Sequence, residues 1–425
     1  MRKILIISPH FPPSNLAAVH RSRLFAHHLP AFGWEPIILT VHEKFYEEKL
    51  DHNLEKLLPV GLHIEKVDAF RTTMPRLVGD IGLRGFFQLY KKAKQIIWLE
   101  KVDFLYIPIP SFYGALIGRL LHSTTKIKYG IDYIDPWVHH FPGREKLFSR
   151  HWLSTKGAKI LEPIAVKKAS LITGVADGYY QGVIKRNPHL SKQALVGGMP
   201  YGGEEEDHKA VVKLGIKPYL FQQKPGKIQL IYAGAMLPKA YSALACIFKA
   251  IQSNPETFSN VEFHFIGTGK RPNDSESYNI KPIAERFGLW QNTIFEYAQR
   301  IPYLDVLAHL NSADGIFILG STEPHYTPSK TYQAVLSGKP IFAVLHQQSS
   351  AVKVLEASNA GIVLSFDGEK GLDFILQNFI SFFTQFLQFS ANYKPEKINK
   401  ELFEQYSAKN VTAKLAGMLE KLFAE

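Results

Sequence analysis

Lys330 follows Thr327-Pro328-Ser329, and the stretch closes at Gly338-Lys339-Pro340. That spacing predicts a helix with Thr327 as N-cap and Pro328 at the first position, where its missing N–H costs nothing. Gly338 predicts the stop, and Pro340 prevents continuation. The chemistry on offer is anion binding by free N–H groups, the positive end of the helix dipole and the Lys330 ammonium. Thr327, Ser329 and Lys330 are therefore candidate phosphate contacts. Gln333 lies three residues beyond Lys330 on the same face, where its amide could meet a ribose hydroxyl or simply be partly exposed polarity. Glu323 and His325, in the loop just before, are within reach of whatever the phosphates carry.

A second cation and a glycine belong with this corner. Gly234 ends an apolar run, Ile228–Tyr232, and permits close backbone approach, while Lys239 follows shortly. In the first half, Asp132 and Asp135 in YGIDYIDPW read as lying just beyond a strand. A carboxylate held there can act as a base or orient a hydroxyl, and Asp135 is the candidate. Asp132 reads better as a cap. Ser14, Asn15 and Arg21 follow the first strand and are candidate contacts for an acceptor. His139 and His140, without acidic or cysteine neighbours, are poor metal evidence.

Elements must position these residues, and both halves alternate strand-like and helix-like segments. Lys3–Ile7, Pro36–Thr40, Phe104–Ile107, Lys126–Tyr129 and Leu171–Val175 read as strands of the first half. Ile228–Tyr232, Val261–Ile266, Ile294–Tyr297, Gly315–Leu319, Ile341–Val344 and Gly361–Leu364 read as strands of the second. His20–Leu29 and Phe86–Leu99 read as helices, as do the aromatic-rich Leu372–Phe389 and a final segment near Ala408–Phe423. The glycine-rich, acidic stretch Gly197–Lys209 marks a hinge. The expectation is α/β, two doubly wound Rossmann-like domains facing across a cleft. Their divisions are residues 1–200, a linker 201–225, residues 226–395, and a helical tail 396–425 packing back on the first domain.

Composition narrows the classes. At 425 residues the chain exceeds the usual single core. One cysteine, Cys246, excludes an intrachain disulfide and fits a reducing compartment. No apolar run reaches membrane-spanning length, so a soluble, cytoplasmic protein is expected. The formal charge of +12 calls for acidic partners, yet no nucleic-acid-binding motif occurs and nucleic acid is not expected. Lys91–Lys94 and the basic stretch Lys156–Lys168 allow a peripheral contact with an anionic membrane, at the inner face of the plasma membrane. The first strand runs into SPHFPPSN, with prolines where a dinucleotide site needs glycines. GTGK, Gly267–Lys270, reads as a turn.

With these residues in view, the chain resembles the GT-B glycosyltransferases, in particular family 4 (group 1) of the bacterial polysaccharide type. PSKTYQAVLSGKP is similar to that family's Pro-Ser-Lys, acidic residue, Gly-Lys-Pro pattern. IYAGAMLPK looks like the opening of its donor domain, and DYIDPW resembles its acceptor domain. The resemblance implies a transferase that moves a sugar, with retention, from a nucleoside diphosphate sugar to a glycan or lipid-linked acceptor, without cofactor or metal. It implies diphosphate contacts from Lys239 and Lys330 and a ribose contact from Gln333, where the family usually has glutamate. The family's glutamate eight residues earlier falls on His325, with Glu323 two residues further off, and an arginine common after the glycine is Ala235. A sugar-nucleotide epimerase of the same architecture and a non-catalytic nucleotide- or carbohydrate-binding protein are the alternatives.

Overall fold

A computed structural model describes residues 1–72, 78–138, 147 and 149–424. Two compact units emerge: Met1–Tyr201 together with the C-terminal segment from Ala408, and Gly202–Ser407.

The first unit is built on strands β1 (Arg2–Ile7), β2 (Trp34–Val41), β3 (His63–Val67), β4 (Phe104–Ile109), β5 (Lys128–Tyr133), β6 (Leu171–Gly174) and β7 (Leu195–Gly198). All pair in parallel, in the order β3-β2-β1-β4-β5-β6-β7. Because both faces are covered, the inner strands β1, β2 and β4 are apolar on both sides rather than alternating. Ile7, Leu39, Ile107 and Ile131 point into one core, while Ile4, Ile6, Ile38 and Phe104 point into the other. The Phe86–Glu100, Gly114–Thr125 and Arg150–Val166 helices serve the first core. The Ala17–His28 and Ala408–Ala424 helices serve the second and pack on each other. Leu415 and Leu419 are fully buried there, each worth roughly 1.5–3 kcal/mol. Glu420 accepts hydrogen bonds from Trp34 Nε1 and Arg2.

The second unit repeats the plan with β8 (Ile228–Ala233), β9 (Val261–Ile266), β10 (Ile294–Tyr297), β11 (Gly315–Leu319), β12 (Ile341–His346) and β13 (Gly361–Phe366). Its parallel order is β10-β9-β8-β11-β12-β13. Phe379, Phe383 and Phe386 recur at helical spacing on Leu372–Ala391 and fill one core with Phe258, Phe263 and Phe342.

In each sheet the order reverses beside the first strand, between β1 and β4 and between β8 and β11. The loops leaving those strands turn to opposite faces, which opens a crevice at the carboxyl ends. Two expectations about the first unit need correction here. The strand expected at Lys126–Tyr129 is β5, Lys128–Tyr133, because Lys126 ends the preceding helix in a left-handed conformation. Asp132 therefore lies inside a strand, fully buried, rather than beyond one. Part of the expected linker, Glu205–Lys213, is helical, its first turn carrying three acidic residues that suit a helix N-terminus.

Candidate functional site

In the second unit, the crevice between β8 and β11 gathers the candidates. Gly234 follows β8 with φ at +112°, a left-handed conformation that L side chains avoid, while its N–H donates to Ile266 O at 2.8 Å. Beside its backbone stands the Lys330 ammonium; a Cβ placed on Gly234 would lie 3.6 Å from Lys330 Nζ. The same nitrogen sits 3.4 Å from the centroid of the Tyr232 ring. Such a cation–π contact balances part of the charge but supplies no hydrogen-bond acceptor. Lys330 Nζ is buried and has no hydrogen-bond partner among the described residues. Burial pushes its pKa well below the ordinary 10.5. A buried ammonium without an acceptor is costly, and an anion placed in this crevice removes that cost.

Lys239 and Glu323 meet at 3.3 Å, both side chains mostly buried. The loops that carry them are also joined through the backbone, Thr322 N–H donating to Lys239 O at 3.2 Å. Glu323 is thus held in the β11 loop two residues before the half-buried His325. Thr322 Oγ1 donates to Glu369, and Ser349 Oγ to Tyr326 O, so the loop is anchored on both sides.

The helix after that loop begins later than its sequence suggests. It spans Lys330–Leu336, with Ser329 at the N-cap making no side-chain capping bond. Thr327 does not cap it; its hydroxyl is hydrogen-bonded to Ser350 Oγ at 2.8 Å. Pro328 contributes a turn, its carbonyl accepting from Thr331 N–H. Gly338, at φ +69°, does end the helix. Gln333 is placed in a chain of bonds: its amide nitrogen donates to Tyr303 Oη at 2.8 Å and its oxygen faces His208 Nε2 at 3.0 Å. Tyr303 in turn donates to Asp207. Since the ionised Asp207 can only accept, Tyr303 accepts from Gln333, and the Gln333 oxygen must accept from His208. A ribose contact from Gln333 requires one of those bonds to be given up.

In the first unit the structure separates the candidates. Arg21 is fully buried and donates from Nε and Nη2 to both oxygens of Asp132, at 2.7 and 3.0 Å. Its Nη1 donates to Met199 O and Pro200 O. Four of its five N–H donors are occupied, so it ties the end of β7 to β5 instead of presenting charge to an acceptor. Burial opposes its charge, and Asp132 outweighs burial and raises its pKa. Thr173 Oγ1 completes the Asp132 shell at 2.7 Å. Ser14 is buried with its hydroxyl on Glu48, whereas Asn15 is half-buried and Asp135 exposed. His139 and His140 lie outside the described residues.

Sequence reasoning missed a cluster at the β1–β4 crevice. His10 Nδ1 lies 3.0 Å from Glu48, and its ring stacks at a tilt on Tyr46. Burial pushes the Glu48 carboxyl up, but His10 and Ser14 overcome it and hold the pKa at about 2. Asp80 is pushed up by burial and accepts from Ser111 Oγ at 2.9 Å. Position His10 was visible, directly after the first strand; Glu48 and Asp80 sit in segments without periodicity. Among the described residues, no group of three or more His, Cys, Asp or Glu side chains is placed to hold a metal ion.

These two parallel sheets, each flanked by helices, define a class of fold that solved structures share. The chain is similar over its full length to sucrose-phosphate synthase from Thermosynechococcus elongatus, with a TM-score of 0.66 and 12% identity, covering 100% of both chains. It is similar to HepE of Anabaena in complex with UDP-glucose, with a TM-score of 0.63 and 14% identity over 99% of this chain and 100% of that one. A third likeness is to an E. coli protein described as trehalose-6-phosphate bound with UDP-2-fluoro glucose, with a TM-score of 0.62 and 9% identity over 98% of each chain. These likenesses establish the GT-B fold. No family model and no curated sequence matches the chain.

Proposed function

We propose that the chain is a glycosyltransferase that moves a sugar from a nucleoside diphosphate sugar to a glycan or lipid-linked acceptor, with retention. The observation that carries the reading is the buried, unpartnered Lys330 ammonium beside the left-handed Gly234 at the β8–β11 switch point. Neighbours of this fold solved with UDP or UDP-glucose support a uridine nucleotide as the first ligand to try.

In this reading the diphosphate approaches the Gly234 backbone, and Lys330 gives it the acceptor-seeking charge that Tyr232 alone leaves unsatisfied. As the C1–O bond of the donor breaks, negative charge grows on the leaving phosphate, and a fixed ammonium in a water-poor crevice stabilises it strongly. The acceptor oxygen bonds to C1 and its proton passes to the departing diphosphate. Lys239 leaves Glu323 for the second phosphate, and Glu323 is then positioned for a hydroxyl of the transferred sugar, with Thr327, Ser329 and His325 lining the same loop. Asn15 and Asp135 are the first-unit positions proposed for the acceptor. No cofactor takes part.

The test is incubation with UDP-sugars, with and without an acceptor panel. Sugar transfer to an acceptor, abolished in Lys330→Ala, supports the reading. Isomerised sugar from donor alone assigns the site to an epimerase, and tight UDP binding without any product assigns it to a binding protein.

A further inference from the structure

In the first unit, three helices pack side by side over one face of the sheet: Phe86–Glu100, Gly114–Thr125 and Arg150–Val166. Their outward stripes are not those of an ordinary solvated layer. On the first helix Phe87, Lys91, Lys94 and Trp98 share one side, with Phe87 72% and Trp98 66% exposed. Leu120 is exposed on the middle helix. On the third, Leu153, Lys156, Ile160 and Ile164 recur at helical spacing, all exposed, and Lys167 follows at the helix end.

Among the described residues of these three helices, the charge that remains unpaired has one sign. The only acidic residues of the three helices are Glu100 and Glu162. Glu100 is bonded to Lys3, and Glu162 is buried against Arg186. Lys91, Lys94, Lys156 and Lys159 appear in no ion pair among the described residues, whereas Lys92 is paired with Glu65. Large apolar side chains separated by lysines whose stems can lie along them form the pattern of a helix face resting at a lipid interface. The exposed apolar residues of the second unit, such as Val212 and Phe374, are scattered without such a stripe.

We propose that this three-helix face docks on the surface of an anionic lipid bilayer, with Phe87, Trp98, Leu120, Leu153, Ile160 and Ile164 entering the interface and the lysines meeting headgroup phosphates. The inference goes beyond the donor-site reading and does not depend on it. It gives a lipid-linked acceptor a short route to the protein. No helix among the described residues is long and apolar enough to cross a membrane, and the contact proposed is a peripheral one.

The experiment is co-sedimentation of the full chain with phosphatidylcholine vesicles, with and without phosphatidylglycerol. The expected result is binding that needs the anionic lipid and weakens as salt rises. Lys91→Glu with Lys156→Glu should reduce it by roughly tenfold or more, and Trp98→Ser with Ile160→Ser by a similar factor. Both double variants should keep the wild-type melting temperature and UDP response, which separates lost docking from lost folding. Equal binding to neutral and anionic vesicles, or unchanged binding in either double variant, overturns the proposal. A concentration-dependent dimer that Trp98→Ser abolishes, without vesicle binding, also overturns it by assigning the face to a second copy of the chain.

Discussion

Arg21 in the first unit and Lys330 in the second are both withdrawn from solvent, and the two are treated in opposite ways. Arg21 meets both oxygens of Asp132 and two backbone carbonyls. Lys330 meets a tyrosine ring and, among the described residues, no acceptor. A cation whose donors are occupied stabilises its own fold, whereas one left with donors open is stabilised only by something that arrives. From sequence both residues were offered as ligand contacts. Their surroundings differ in what is left open: Arg21 has four of its five donors occupied, and Lys330 has none occupied among the described residues.

The comparison breaks most visibly at Arg21. Arg21→Met leaves Asp132 buried without its partner and should cost about 3–5 kcal/mol in urea unfolding. A loss near zero would mean that Asp132 finds another partner, and that the tie to Met199 and Pro200 is dispensable.

His264 gives an intermediate case. It is buried between Phe221 and Phe295, and burial lowers its pKa to about 4 despite Glu262 at 3.2 Å. The unfolded chain then binds more protons than the folded one between the ordinary 6.5 and 4. Stability should fall as pH drops through that window, by roughly 3 kcal/mol. The lowered pKa of Glu262 acts in the same direction, burial being outweighed there by Lys224 and Gln229. Unfolding at pH 7 and pH 4 checks this, and His264→Gln should flatten the dependence.

At the lysine itself the effects on folding are smaller. Gly234→Ala forces a left-handed φ and should cost about 1 kcal/mol in stability, with a clear loss of UDP binding. Lys239→Ala should change stability by under about 1 kcal/mol, because the Lys239–Glu323 pair is partly exposed. Its readout is weaker nucleotide binding in calorimetry.

Much of the fold was legible because its strands are continuous apolar runs with glycine or proline stops. β8, β9 and β11 were readable from that pattern alone, and Gly338 from its place after the helix. Three residues have surroundings that the sequence hides for one reason, a contact made far along the chain. Thr327 looks like a cap until Ser350, 23 residues on, takes its hydroxyl. Asp132 looks like a strand end because a carboxylate in a buried strand needs a cation, and Arg21 supplies it from 111 positions away. Gln333 looks free for a ribose until Tyr303 and His208 are seen on its amide. β3, His63–Val67, is an edge strand with half-exposed polar residues, so it carries no apolar run to read.

The central claim is that Lys330 is kept unpartnered for an anion, and calorimetric titration with UDP of the wild type and Lys330→Met tests it directly. The account predicts at least a tenfold loss of affinity in the variant. It also predicts ligand-free stability that is equal or higher, since methionine removes a buried charge. The folded pKa of Lys330 lies below its unfolded 10.5, so stability in the wild type should rise with pH between those values, and the variant should lack that rise. Unchanged UDP affinity in Lys330→Met would contradict the account.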